Sequence, residues 1–186
     1  PRFEELLTQS LLVATGQMTE AAFEASLGVA DNESPAADPN TIKAERLTHP
    51  GEQLLGHKME DMAEARFREA VQLAPGYAPA RLALGDLYRA RGEPDLAEAQ
   101  LRALLAANPG SLEGRLALAR VQIDQGGAAL DEAEKTTREV LDTHPASAQG
   151  HYQLGLILEA RGDHPKAAAS YRKAAELLLD QQGGRR

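Results

Sequence analysis

The stretch ALGDLYRARGEPDLAEAQLRALLAANP, residues 83–109, decides the fold, because its landmarks recur at fixed steps along the chain. From Gly85, alanine follows at +12 (Ala97), leucine at +16 and +19 (Leu101, Leu104) and proline at +24 (Pro109). The same steps from Gly51 reach Ala63, Phe67, Ala70 and Pro75. From Gly155 they reach Ala167, Tyr171 and Ala174, with Leu179 in the proline's place. A fourth set runs from Ala119 to Ala133, Thr137, Val140 and Pro145, every step longer by two. Internal self-similarity at this period marks a stacked-repeat architecture.

The steps have a physical meaning. Gly92-Glu93 and Gly162-Asp163 punctuate the chain where one helix ends and another begins. Glycine or alanine at Gly85, Ala119 and Gly155, opposed by Ala97, Ala133 and Ala167, lets two antiparallel helices approach closely. Leu101 and Leu104 share one face of the second helix and turn toward the next unit, as do Tyr171 and Ala174. Proline then stops that helix, since it cannot donate to the helical ladder.

With QLGLILEARGDHPKAAASYRKAAELL (153–178) alongside, the pattern resembles the tetratricopeptide repeat family, helix-turn-helix units of roughly 34 residues. The resemblance implies an all-α fold, a right-handed α-solenoid. It covers residues 44–181 as units 44–77, 78–111, 112–147 and 148–181, followed by a tail at 182–186. The aromatic that the family favours early in each first helix is replaced by Arg81, Arg115 and His151. An arginine stem there is expected to lie over apolar surface with its head in water. His49-Pro50-Gly51 predicts a short first helix in unit 44–77, starting near Pro50. The two extra residues of the third unit fall in GGAALDE (126–132) and are expected to lengthen its turn.

Ahead of the array, residues 1–30 read as a helical hairpin, a degenerate repeat or an N-terminal cap. Phe3, Leu6, Leu7, Leu11 and Ala14 share a face, Gly16 marks a stop, and Thr19 can cap the second helix. Met18 is placed to staple onto Phe23. Residues 31–43, beginning DNESPAADPN, read as an acidic flexible linker. At the other end, the helix through Ala174, Leu177, Leu178 and Leu179 runs into DQQGGRR with no capping helix after it. The chain continues, another subunit covers this end, or the end frays.

Composition narrows the function. The 186 residues carry 28 acids and 20 bases, a formal charge of −8, with no cysteine or tryptophan. Without cysteine there is no disulfide scaffold, thiolate metal site or cysteine nucleophile. Net acidity argues against a broad nucleic-acid-binding face, which needs clustered cations. No apolar run approaches the ~20 residues that cross a bilayer, so direct membrane insertion is not expected. No signal segment is visible, which gives a cytoplasmic default, or a periplasmic location if the chain is a fragment. Arginine and alanine abundance suggests a GC-rich bacterial source.

No P-loop, GxGxxG, GxSxG or HExxH motif is present. No two of the five histidines fall at i, i+4, and His49, His144 and His164 each precede a proline and read as turn or helix-start residues. The acid pairs Glu60-Asp61 and Asp131-Glu132 suit helix N-termini. The reading is therefore a protein without enzymatic activity, cofactor or metal.

In the family, first helices line a concave groove that binds protein segments. Carried over by position, the groove residues are Leu82, Asp86 and Arg89, then Leu116, Arg120 and Ile123, then Tyr152, Leu156 and Glu159. The alternative is that this face is core. Leu84, Leu87, Tyr88, Leu118 and Leu154 fit the core better. The basic clamp with which some members hold a chaperone's terminal carboxylate is missing, since Thr48, Glu52, Ala83, Glu113 and Ala117 occupy its positions. A hydrophobic or amphipathic protein segment is the expected partner. Bacterial proteins that resemble this chain serve pilus, secretion, cytochrome-maturation, magnetosome or envelope assemblies. The competing reading is a self-assembling or regulatory module of a larger or oligomeric protein, pairing through its C-terminal helix.

Overall fold

The computed structural model describes residues 38–183. The expected N-terminal hairpin and most of the expected linker lie outside them. The described residues form eight helices and no strand: α1 (Pro39–Gly56), α2 (Glu60–Leu73), α3 (Ala78–Ala90), α4 (Pro94–Ala107), α5 (Leu112–Gln125), α6 (Ala129–Thr143), α7 (Ala148–Ala160) and α8 (His164–Gly183).

Consecutive helices pack as antiparallel hairpins, α1 on α2 through α7 on α8. Each hairpin also touches the next through its first helix: α1 meets α3, α3 meets α5, and α5 meets α7. Second helices make no such contact with one another. First helices therefore line the inner side of the stack and second helices splay along the outer side. This is a solenoid of stacked helical hairpins.

Small residues set the packing within each hairpin. A Cβ on Gly51 would sit 2.5 Å from the Phe67 ring, and one on Gly155 would fall inside the Tyr171 ring's contact radius. In the third hairpin Ala119 opposes the smaller Thr137, both fully buried. Bulk removed from one helix is thus returned by the other, which keeps interior packing dense. Phe67, Leu84, Leu101, Leu104, Val121, Val140 and Ile157 are fully buried among alanines. Leu84, Leu87, Tyr88 and Leu118 are core as expected, while Leu154 is half-buried.

Three expectations are corrected. Residues 39–43 are the first turn of α1 and not linker, and α1 is an 18-residue helix that contains Pro50. Ala44, Thr48 and Gly51 bury one face of it. Pro50 and Arg46, whose ladder bond the proline removes, both lie on the exposed side, where water can satisfy the carbonyl. His49 is consequently mid-helix. The third correction concerns the inserted pair. Its turn, 126–128, is as short as 91–93 and 161–163. One extra residue instead lengthens each helix, α5 to 14 against 13 in α3, and α6 to 15 against 14 in α4.

The residues standing where the family favours an aromatic share one task. Arg81 Nε donates to the Pro75 carbonyl at 2.5 Å, Arg115 Nη2 donates to Pro109 at 2.7 Å, and His151 Nε2 lies 3.0 Å from the Pro145 oxygen. Each ties the start of a first helix to the end of the preceding hairpin. The heads are bound to the protein, not to water alone. Ser111 and Ser147 fix the same junctions, accepting from the amides of Gly114 and Gly150 at 3.0 Å.

Candidate functional site

Of the nine residues placed in a groove by sequence position, Arg89 and Arg120 are half-buried and ionic, and the other seven divide into three groups. Leu116 is buried and belongs to the core; its carbonyl accepts from Gln153 Nε2 at 2.8 Å, which ties α5 to α7. Leu82, Ile123 and Leu156 are half-buried, and Leu82 packs on the core between the first hairpins. Tyr152, Asp86 and Glu159 are exposed. A continuous exposed apolar stripe is therefore not what the inner face presents.

Its centre is ionic. Arg89 Nη1 donates to Asp124 Oδ2 at 3.0 Å, joining α3 to α5. Arg120 Nε stands 3.4 Å from the other oxygen of Asp124, and Arg89 Nε stands 3.8 Å from Asp86. Both Nε atoms are buried without a hydrogen-bond partner. Two cations thus share two carboxylates at the middle of this face. Sequence position brought Asp86, Arg89 and Arg120 together but missed Asp124. Its i+4 spacing from Arg120 was the available signal.

Toward the last hairpin the face turns apolar. Ala148, Gln149 and Tyr152 of α7, with Tyr171, Ala174, Ala175 and Leu178 of α8, line a cavity of about 510 Å³. A smaller one of about 280 Å³ adjoins it, shares Ala148, Gln149 and Leu178, and reaches Leu112 and Leu116 on α5. The Tyr152 and Tyr171 rings lie 5.6 Å apart at 46°. Tyr171 donates to Glu159 at 2.6 Å. Burial and that carboxylate push the Tyr171 hydroxyl up to about 12, so it remains a donor. Of this cup, groove position pointed only to Tyr152. The uncovered helix end was the signal for Leu178.

On the outer side, where α2 and α4 do not touch, a polar cavity of about 460 Å³ lies beside Glu64, Arg68, Tyr88 and Arg91. Its charges are committed to each other. Burial opposes ionisation of Glu64, but hydrogen bonds from Tyr88 and Arg91 outweigh it and hold the carboxyl below its usual range. Among the described residues no group of histidine and acidic side chains could hold a metal, and no helix is long and apolar enough to cross a membrane.

Two family models, both described as tetratricopeptide repeat, match residues 54–111 and 116–178. Several solved structures share the fold. One is MamA 41-end from Desulfovibrio magneticus RS-1, 23% identical over 74% of this chain and 77% of that one, with a TM-score of 0.62. Pseudomonas aeruginosa PilF is 20% identical over 74% of this chain and 62% of its own, with a TM-score of 0.65. TTC0263, a thermophilic TPR protein of Thermus thermophilus, is 24% identical over 72% of this chain and 74% of that one, with a TM-score of 0.64. No curated protein sequence matches the chain.

Proposed function

Because this chain belongs to the tetratricopeptide repeat family, a family of protein-interaction scaffolds, we propose that it is a non-enzymatic scaffold holding a protein segment on its inner face. The segment would be amphipathic, and the chain would serve as an accessory or assembly factor of a larger complex. The observation that carries this reading is the pairing of chemistries along one face. The Arg89 and Arg120 side chains stand partly exposed at its centre, 30% and 37% accessible, and the apolar cup at Tyr152 lies one hairpin further on. An acidic side chain or free carbonyl of the segment would meet the arginines, while an apolar side chain enters the cup.

The test compares wild type with an Arg120→Ala/Tyr152→Ala variant in pulldowns from native lysate, with helicity followed by circular dichroism. A protein lost only by the variant supports the inner face. A protein retained equally by both overturns it. A second reading, assembly with copies of the same chain, is favoured by one separate observation. The C-terminal face of α8 leaves Leu178 and Leu179 half to two-thirds exposed, at 51% and 67%.

A further inference from the structure

The apolar cup on α7 and α8 has counterparts inside the stack, and each of those is covered by the first helix of the next hairpin. Over α5 and α6 lies α7: a Cβ on Gly150 would stand 2.9 Å from Leu141, and Gln153 donates to the Leu116 carbonyl. Over α3 and α4 lies α5, with Gly114 against Leu104 and Leu105. Over α1 and α2 lies α3, with Ala80 packed among Ala44, Ala70 and Ala74 and Val71 beside them. At the repeat spacing Tyr152 answers to Leu116, and Ala175 answers to Val71, Leu105 and Leu141. Leu116 under its cover is 3% exposed, whereas Tyr152 is 45% exposed and Leu178 51%. The last hairpin keeps the same seat open.

The three covering helices share one seam. Ala80, Leu84 and Leu87 follow n, n+4, n+7, as do Gly114, Leu118 and Val121, and Gly150, Leu154 and Ile157. The residue at n is smaller where its seat is larger: alanine stands over Ala70 and Val71, and glycine over the leucines. Ala174 and Ala175 make the smallest seat of the four, and the space left above them is the cavity of about 510 Å³.

We propose that this seat takes an amphipathic helix of a partner protein, laid on α7 and α8 as α5 is laid on α3 and α4. Its residue n is apolar and larger than alanine, such as leucine, and fills the cup beside Tyr152. Apolar residues at n+4 and n+7 continue the seam. Among the described residues the three helices with this seam already hold it against their own stack, and each has only alanine or glycine at n. None of them can serve a second copy, so the occupant is a different polypeptide. The proposal rests on the inner-face reading for the cup as a binding place and gives the bound segment its form.

Two synthetic peptides of the α5 segment, residues 111–125, test this, each held helical by a lactam bridge between positions 120 and 124. One keeps Gly114 and the other carries Gly114→Leu. Binding to the full chain is read by fluorescence anisotropy. Wild type is expected to bind the Gly114→Leu peptide about tenfold more tightly than its parent, since only the leucine fills the cup. Ala175→Leu, at an exposed position, rebuilds the seat that Leu105 makes under α5 and should reverse that order. Equal binding of the two peptides, no binding, or an order that Ala175→Leu leaves unchanged overturns the proposal. So does a full chain that sediments as a dimer and is dispersed by Ala175→Arg, because the seat then belongs to a second copy. The peptides are fitted to α7 and α8 alone, so these failures leave the inner-face scaffold to its own pulldown.

Discussion

Arg91 reaches back across a hairpin boundary and donates to Glu64 at 2.5 Å, and two boundaries later Arg161 stands 2.9 Å from Glu134 in the equivalent place. Arg91 also holds Glu60 at 3.0 Å and Asp61 at 2.9 Å, and Arg161 holds Asp131 at 2.5 Å. The acid pairs at the starts of α2 and α6 therefore serve the next hairpin as well as their own helix dipole. Such a fork on several carboxylates suits arginine, with its rigid set of donors.

These pairs make stability depend on acid. The Glu64 carboxyl is held low, and Glu98 is lowered by Arg102's hydrogen bond against the cost of burial. A carboxyl lowered on folding contributes stability fully above its unfolded value. That contribution is lost as pH falls through the folded value. Urea denaturation should thus show stability level near neutrality and falling below about pH 4.5. Glu64→Gln should flatten part of that fall; an unchanged profile would count against the fork.

The Gly51–Phe67 pair carries much of the first hairpin. Phe67→Ala opens a cavity opposite Gly51, which has no side chain to fill it, at a cost of about 3–5 kcal/mol in denaturant titration. Gly155→Ala should also destabilise, because the added methyl forces the Tyr171 ring out of its place.

Gln153 is 1% exposed, with its amide donating to Leu116 and its oxygen unpartnered. Gln153→Glu puts an ionised carboxylate against a carbonyl in the interior. The loss should be on the order of 3 kcal/mol at neutral pH and partly recovered in mild acid, where the carboxyl protonates.

Arg115→Ala removes the bond to the Pro109 carbonyl at a partly exposed junction. Thermal and denaturant unfolding should register a loss of about 0.5–1.5 kcal/mol. Lysine in its place should not fully rescue it, because a point charge lacks the guanidinium's directed donors.

Tyr171 offers a spectroscopic check. In an ultraviolet titration one tyrosinate transition should appear only near pH 12, and Tyr171→Phe should remove it. Glu159→Gln should bring it down, since the neutral amide no longer opposes the phenolate. With a folded value above the unfolded one, Tyr171 stabilises the fold fully below about pH 10 and less as pH rises through 12.

The hairpins and their stacking were legible in the order of residues alone, because both follow from local rules. A glycine at Gly51, Gly85 or Gly155 faces a bulky residue sixteen positions on, and the turn and proline punctuation sets where helices stop. Repetition at a constant step made each hairpin a check on the others. Where a local signal met a tertiary one, tertiary packing won. Pro50 reads as a helix start, yet burial of Ala44, Thr48 and Gly51 against α2 carries the helix through it. The inserted pair reads as a longer turn, yet helix–helix contact absorbs one residue in each helix. The inner face was legible as a row of positions but not as a surface. Whether Leu116 is core and whether Asp124 bridges Arg89 and Arg120 depend on how closely neighbouring hairpins approach. That spacing is set jointly by side chains far apart in the chain, and only the folded structure adds them together.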